Sequence, residues 1–294
     1  TTVRSGTGDD PLGHLGEDPL AFRSPNRTLV AQGTAARIEL GERSGWADDV
    51  ASVSQALAAI ERRGPDRDPA SGPVAFCAFP FDRRRPATAL IPRVLRGRDA
   101  ARSSWMTTID ADRSQAAPSP LASEPGETVP SSGATGGDEP VELRLQATTS
   151  DADWMAKVVE MTTRMAEGHL EKAVLFRELA LSSTATLDPG ALYRRLLPTA
   201  PAGYVFCIDG FVGASPELLV SRIDDTVRAQ PMAGTLPRSG DPKVDMGHAG
   251  ELLRSDKLRH EHEVTILRAH DALLGWCSYL DAQPEPQVVE AGAV

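Results

Sequence analysis

The sequence predicts an α+β protein in which sheets pack against outer helices. Three observations carry that expectation. Stretches of period-two and of helical apolar spacing both occur, but they do not alternate regularly, which disfavours a doubly wound sheet. The helical stretches carry their apolar residues on one face, as helices lying on the outside of a sheet do. At 294 residues and 40% hydrophobic content, the chain is long enough to bury a sizeable core.

The first twenty or so residues are rich in Gly, Asp and Thr without periodicity, and are expected to fray. Residues 28–40 have the β-branched, alternating pattern of strands. Residues 48–62 then set Val50, Val53, Leu57 and Ile60 at helical spacing. Residues 73–80, built around Val74-Ala75-Phe76-Cys77-Ala78-Phe79, read as a buried strand, and residues 88–92 as another. From 113 to 140 the chain runs through Ala, Pro, Ser, Gly and Glu with almost no bulky apolar residue. Such a segment cannot bury enough surface to offset its ordering entropy. It is expected to be a disordered linker or long surface loop between an N-terminal part, 1–112, and a second part, 141–294.

Order resumes with the alternating Val141-Glu142-Leu143-Arg144-Leu145. Ser150 followed by Asp153 resembles a capping-box start, and Trp154, Val158, Met161 and Met165 behind it share one helix face. Gly168 is placed to stop that helix. Residues 172–181 read as a strand with Lys172, Val174 and Phe176 on one face and Ala173, Leu175 and Arg177 on the other. A helix near 189–197, strands near 204–208 and 217–222, and one long helix over 250–276 complete the series.

Composition removes several functions. A net charge of −10 argues against nucleic acid, whose phosphates demand a basic face. Cys77, Cys207 and Cys277 are far apart and form no CxxC pair, so neither a zinc knuckle nor a disulfide framework is indicated, and a reducing cytoplasm fits. The sequence shows no signal-peptide order and no apolar run approaching the ~20 residues that cross a bilayer. A soluble, intracellular protein without a membrane partner is expected, and the Asn26-Arg27-Thr28 triplet carries no glycan in that setting.

Four segments could carry chemistry. Lys172 opens the apolar run Ala173-Val174-Leu175-Phe176. It is either a solvated edge lysine or, in a closed cleft, a base whose pKa burial lowers. Glu217 follows the small residues and proline of Gly213-Ala214-Ser215-Pro216, as a surface turn glutamate or as a carboxyl held for general-acid work. Pro231-Met232-Ala233-Gly234-Thr235 is either an ordinary loop or a backbone cradle, in which Gly234 permits close approach of an anion and Thr235 adds a hydroxyl. His260, Glu261, His262 and Glu263 cannot share one ion, because adjacent helical positions point about 100° apart. They form a charged helix face, or Glu261 alone contributes a carboxylate to a hard cation such as magnesium.

In their order and spacing these segments resemble the chorismate-binding enzyme family, which includes isochorismate synthase, salicylate synthase and the large subunits of anthranilate and aminodeoxychorismate synthases. EKAVLFR is similar to the family's KVVLxR strand, FVGASPELLVSR to its xGASPExL segment, PMAGTLPR to PLAGTRPR, and SDKLRHEH to its SxKDxxEH helix. AFPFDRRRPATALIP resembles a stretch of the isochorismate-forming branch. The resemblance implies the anthranilate synthase component I-like fold, a chorismate substrate and an essential Mg2+. It makes Lys172 the base that activates water, Glu217 the acid that protonates the leaving hydroxyl, and Glu261 a magnesium ligand, with Ala233, Gly234 and Thr235 in the substrate pocket. Lysine at 172 and alanine at 233 favour water as the nucleophile, and the GASPELL and PFD wording favours isochorismate synthase over salicylate synthase, which adds pyruvate elimination. The product would feed siderophore or menaquinone synthesis.

Two departures stand out. Leu258 occupies a position where the family usually has an acidic residue. The family also continues past the point corresponding to Val294, with a second magnesium glutamate and a glycine-rich loop, so the C-terminal part of the fold is expected to be missing. That expectation leaves a non-catalytic chain of the same family as a further alternative.

Overall fold

The computed structural model describes residues 2–7, 10–16, 19–41, 46–63, 71–82, 84–109, 142–283 and 285–292. The linker expected over 113–140 lies outside the described residues. The chain forms two compact units, one of Thr1–Ile109 with Asp188–Val294 and the other of Asp110–Leu187.

Twelve strands are described. In the first unit they are β1 (Thr2–Thr7), β2 (Leu20–Ser24), β3 (Arg27–Leu40), β4 (Phe76–Ala78), β5 (Ala87–Asp99) and β6 (Ser103–Thr108). The second unit supplies β7 (Leu143–Ala147) and β8 (Leu179–Ser183). The first unit resumes with β9 (Tyr204–Ile208), β10 (Phe211–Ser215), β11 (Leu218–Ile223) and β12 (Thr226–Gln230). The helices are α1 (Trp46–Ala58), α2 (Asp151–Ala166), α3 (Pro189–Leu196), α4 (Pro242–Arg254) and α5 (Asp256–Leu274). No helix among the described residues is long and apolar enough to cross a membrane.

The first unit is centred on an antiparallel sheet ordered β1-β6-β5-β3-β2-β9-β10, with β4 also on β5. Period-two alternation divides its apolar residues between two faces. Ala21, Val30, Val205 and Cys207 pack on one face against Tyr193 of α3. Leu20, Leu29, Ala31, Leu95, Trp105 and Ile208 form the core of the other. A third cluster joins Val53 and Leu57 of α1 to Leu40, Ala87 and Ala89. Val50, expected on the same helical face, is 52% exposed.

Two glycines shape this sheet. Gly33, at φ +63°, precedes a register shift between Thr34 and Ala36, and this bulge bends the fourteen-residue β3. Gly97 lies opposite Trp105, where a Cβ would fall 2.1 Å from indole Cζ2. The missing side chain makes room for the aromatic ring. Arg23 of the interior strand β2 ties the chain just beyond α3 to the sheet, donating from its guanidinium to the carbonyls of Leu197, Ala200 and Pro201.

In the second unit β7 pairs with β8, and α2 begins where its sequence signal lies. Ser150 Oγ accepts from Asp153 N at 3.1 Å, capping a free amide of the first turn. Trp154, Val158, Met161 and Met165 are the helix's half-buried positions. Its end is a Schellman closure: His169 N donates to Arg164 O and Gly168 N to Met165 O, with Gly168 at φ +74°.

Several expectations are corrected. The N-terminal stretch expected to fray contains β1, paired with β6, and a short 3-10 turn over Pro11–His14. The single helix over 250–276 is two helices. Ser255 ends α4, its N–H donating to Glu251 O, and starts α5, its Oγ accepting from Leu258 N. A strand does not begin at Lys172. The ladder with β7 starts at Leu179, opposite Ala147, because the chain turns at 148–149 into α2 and offers no partner backbone further along β7.

Candidate active site

Glu217 is set by two close approaches. Its turn joins β10 to β11, and Glu217 N donates to Ser215 Oγ at 3.2 Å. The corner at Ser215–Pro216 passes over Gly203, where a Cβ would stand 2.7 Å from Ser215 O and 3.4 Å from Pro216 Cα. Only a residue without Cβ lets the corner sit there. The half-buried Glu217 side chain then turns towards the 231–239 segment, and its Oε1 accepts from Met232 N at 3.2 Å.

That segment has no regular secondary structure, and it leads into α4. Ala233 and Gly234 are half-buried while Thr235 is exposed. Gly234 adopts φ +80°, a conformation that strains any other residue. A Cβ there would be 3.4 Å from Leu258 O and 3.5 Å from Leu258 Cβ, so the segment rests on the first turn of α5.

Glu261 is three residues beyond Leu258, about 4.5 Å along the helix axis on the same side. It is half-buried, and its backbone carbonyl accepts from Thr265 Oγ1. His260 and Glu263 make a separate pair at 3.9 Å, each more than half exposed, so the charged run divides between two sides of the helix. Glu217, the 231–235 segment and the turn carrying Glu261 are thereby brought together.

Among the described residues no group of three or more His, Cys, Asp or Glu is placed to hold a metal ion. Glu261 offers one carboxylate. Magnesium is commonly held through one or two carboxylates together with water and substrate, so Glu261 fits as a single protein ligand for such an ion.

Lys172 belongs to the second unit. It is half-buried and opens the extended segment 172–178 that leads into β8. The end of that segment is fixed by Arg177, which pairs with Asp151 and donates to Thr149 O at 3.1 Å, and by Glu178 O, which accepts from Thr148 N and Oγ1.

Sequence reasoning missed Arg238, Ser239, Asp245 and His248, which hold the far end of the 231–239 segment. One signal for them existed. Asp241-Pro242 is an N-cap followed by proline at the first helical position, and it would have marked the start of α4.

The family model described as chorismate binding enzyme matches residues 20–294. The "Putative isochorismate synthase MenF" of Mycobacterium tuberculosis is 30% identical over 292 residues, covering 95% of this chain and 65% of that protein. Isochorismate synthase DhbC of Bacillus subtilis is 29% identical, covering 91% of this chain and 62% of that protein. The crystal structure of "putative 2,3-dihydroxybenzoate-specific isochorismate synthase, DhbC" from Bacillus anthracis superposes with a TM-score of 0.70 at 27% identity, covering 96% of this chain and 66% of that one. This chain thus spans 62–65% of the length of these curated relatives.

Proposed function

The chain belongs to the chorismate-binding enzyme family and has its α+β fold; on that premise we propose that the protein is an isochorismate synthase, converting chorismate to isochorismate. The observation that carries the reading is the hydrogen bond from Met232 N to Glu217 Oε1, which ties a candidate acid to the root of the loop bearing Gly234 and Thr235. Identity of about 30% to isochorismate synthases over most of the chain supports the same choice.

In this reading the reaction is an allylic displacement. A water oxygen bonds to carbon 2 of the ring, the double bond shifts, and the carbon 4 hydroxyl leaves. Lys172 takes a proton from the attacking water and Glu217 gives one to the departing oxygen, so that one water enters and one leaves. Ala233, Gly234 and Thr235 line the substrate, with the Gly234 backbone free of a side chain where a carboxylate approaches. Glu261 would hold Mg2+ as one ligand, and the ion would supply positive charge against the substrate carboxylate. A positioned base and a positioned acid each typically contribute about 100- to 10,000-fold to the rate of such a reaction. The protein acts in the cytoplasm, in keeping with Cys77, Cys207 and Cys277 as free thiols.

The test is incubation with chorismate and magnesium of protein expressed from its complete reading frame, with products resolved by chromatography. Isochorismate is expected. Anthranilate formed from ammonia, salicylate with released pyruvate, or full activity in excess chelator would overturn the reading.

A further inference from the structure

Glu217 holds one end of the 231–239 segment, and a different set of groups holds the other. Pro237 O lies 2.8 Å from His248 Nδ1, which must carry the hydrogen because a carbonyl only accepts. Ser239 donates twice to Asp245 Oδ1, from its N–H at 2.7 Å and from its Oγ at 2.9 Å. Arg238 Nε stands 3.8 Å from Asp245 Oδ2, while Arg238 Nη1 reaches Glu290 Oε2 and Gly292 O, each at 3.3 Å.

Asp245 is not needed to start α4. Asp241 already caps that helix, its Oδ1 accepting from Lys243 N at 2.8 Å. The residues on either side of Asp245 are exposed, yet its own side chain is only 19% exposed, because it turns back onto the segment that precedes the helix. The bonds from Ser239 hold its carboxyl below the usual carboxylate range, so it is a stable anion at neutral pH.

We infer that Asp245 is a positioning residue for the substrate loop: it anchors the downstream end of 231–239, so that Gly234 and Thr235 are suspended between Glu217 and Asp245. The inference rests on reading this loop as part of the substrate pocket. A loop fixed at both ends presents its amides in one arrangement before substrate arrives. Freed at one end, it must be ordered during binding, which weakens capture of the substrate more than it slows chemistry.

Steady-state kinetics on chorismate and amide hydrogen exchange over residues 232–240 test this together, in protein from the complete reading frame. Asp245→Ala should raise KM about tenfold while kcat falls by no more than about threefold. Exchange over 232–240 should quicken while β3 and β5 stay protected. Asp245→Asn keeps an oxygen for both Ser239 donors and should recover most of the KM. Where Asp245→Ala does not fold, Ser239→Ala removes one of the two donors to Asp245, together with the acceptor of Asp241 N, leaves the Asp241 side-chain cap of α4 in place, and should raise KM in the same direction. Unchanged KM and exchange, or a loss confined to kcat, would overturn the inference. If the unmodified protein leaves chorismate unconverted, the functional reading fails instead, and hydrogen exchange decides whether Asp245 anchors the segment.

Discussion

Glu217 and Met232 are joined by one hydrogen bond of 3.2 Å, from the Met232 amide to Glu217 Oε1. An amide oxygen accepts that bond as well as a carboxylate does, but an amide cannot deliver a proton. Glu217→Gln should therefore lower kcat by about 100- to 10,000-fold, with KM and melting temperature almost unchanged. A variant that retained turnover would show Glu217 to be a turn residue alone.

Lys172→Ala removes the proposed base and leaves the Glu217 bond and the 231–235 segment as they are. Turnover should again fall by about 100- to 10,000-fold, because proton transfer is lost and not binding. Isothermal titration with substrate should find the affinity little altered. Near-normal kcat would make Lys172 an ordinary half-buried lysine.

Glu261→Ala should behave differently from both. It weakens a proposed ligand of the ion that orients the substrate, so activity should depend on magnesium concentration and recover in part as the ion is raised. Titrating magnesium against initial rate, variant beside unmodified protein, reads the shift in midpoint. Coincident curves would remove Glu261 from the metal site.

Gly203→Ala probes how the fold delivers Glu217. The new Cβ would meet Ser215 O at 2.7 Å, and the corner before Glu217 must move to relieve it. Overpacking of this kind typically costs about 1–3 kcal/mol. The melting temperature should drop, and kcat should drop beyond what lost folded protein explains. Gly97→Ala, whose Cβ would meet Trp105 Cζ2 at 2.1 Å, should destabilise without that additional loss of kcat.

A pH series separates out Asp209, whose carboxylate takes two guanidinium bonds from Arg37 at 2.6 and 2.9 Å. Those bonds hold its pKa below the ordinary value. A lowered carboxylate pKa stabilises the folded state fully above the unfolded pKa of about 3.9. The contribution disappears as pH falls through the lower folded value. Asp209→Asn should thus lower the melting temperature at pH 7 and converge with the unmodified protein in strong acid. Both side chains are more than a third exposed, so the difference at pH 7 should stay within about 1 kcal/mol.

Local signals were legible wherever a few neighbouring residues decided the outcome. Ser150, the stripe from Trp154 to Met165, and Gly168 delimit α2 without help from the rest of the chain. Residues 204–208 read as a strand and are one. Of the hairpins β9–β10 and β11–β12, only the first strand of each is anticipated, near 204–208 and 217–222; the returning strands follow the two-residue turns Asp209-Gly210 and Asp224-Asp225. The break at Ser255 was hidden because helical spacing continues across it. Alternation assigned two faces to the Lys172 run, but 172–178 forms no strand and Val174 and Phe176 are exposed, because no period supplies a partner strand. The pairing of Ser239 with Asp245 depends on the chain folding back onto a helix, which no period records.

The register of β2 has a consequence for synthesis. On one side Leu20–Ser24 pairs with β3, which follows at once, and on the other with β9 through Ala21↔Cys207 and Phe22↔Phe206. A ribosome adding about 5–20 residues per second needs on the order of 10–40 s to make the intervening chain. Throughout that interval the nascent β2–β3 hairpin presents an open, apolar edge able to pair with a neighbouring chain. Soluble yield should therefore depend on chaperone supply and on growth temperature more steeply than the stability of the finished sheet alone would require.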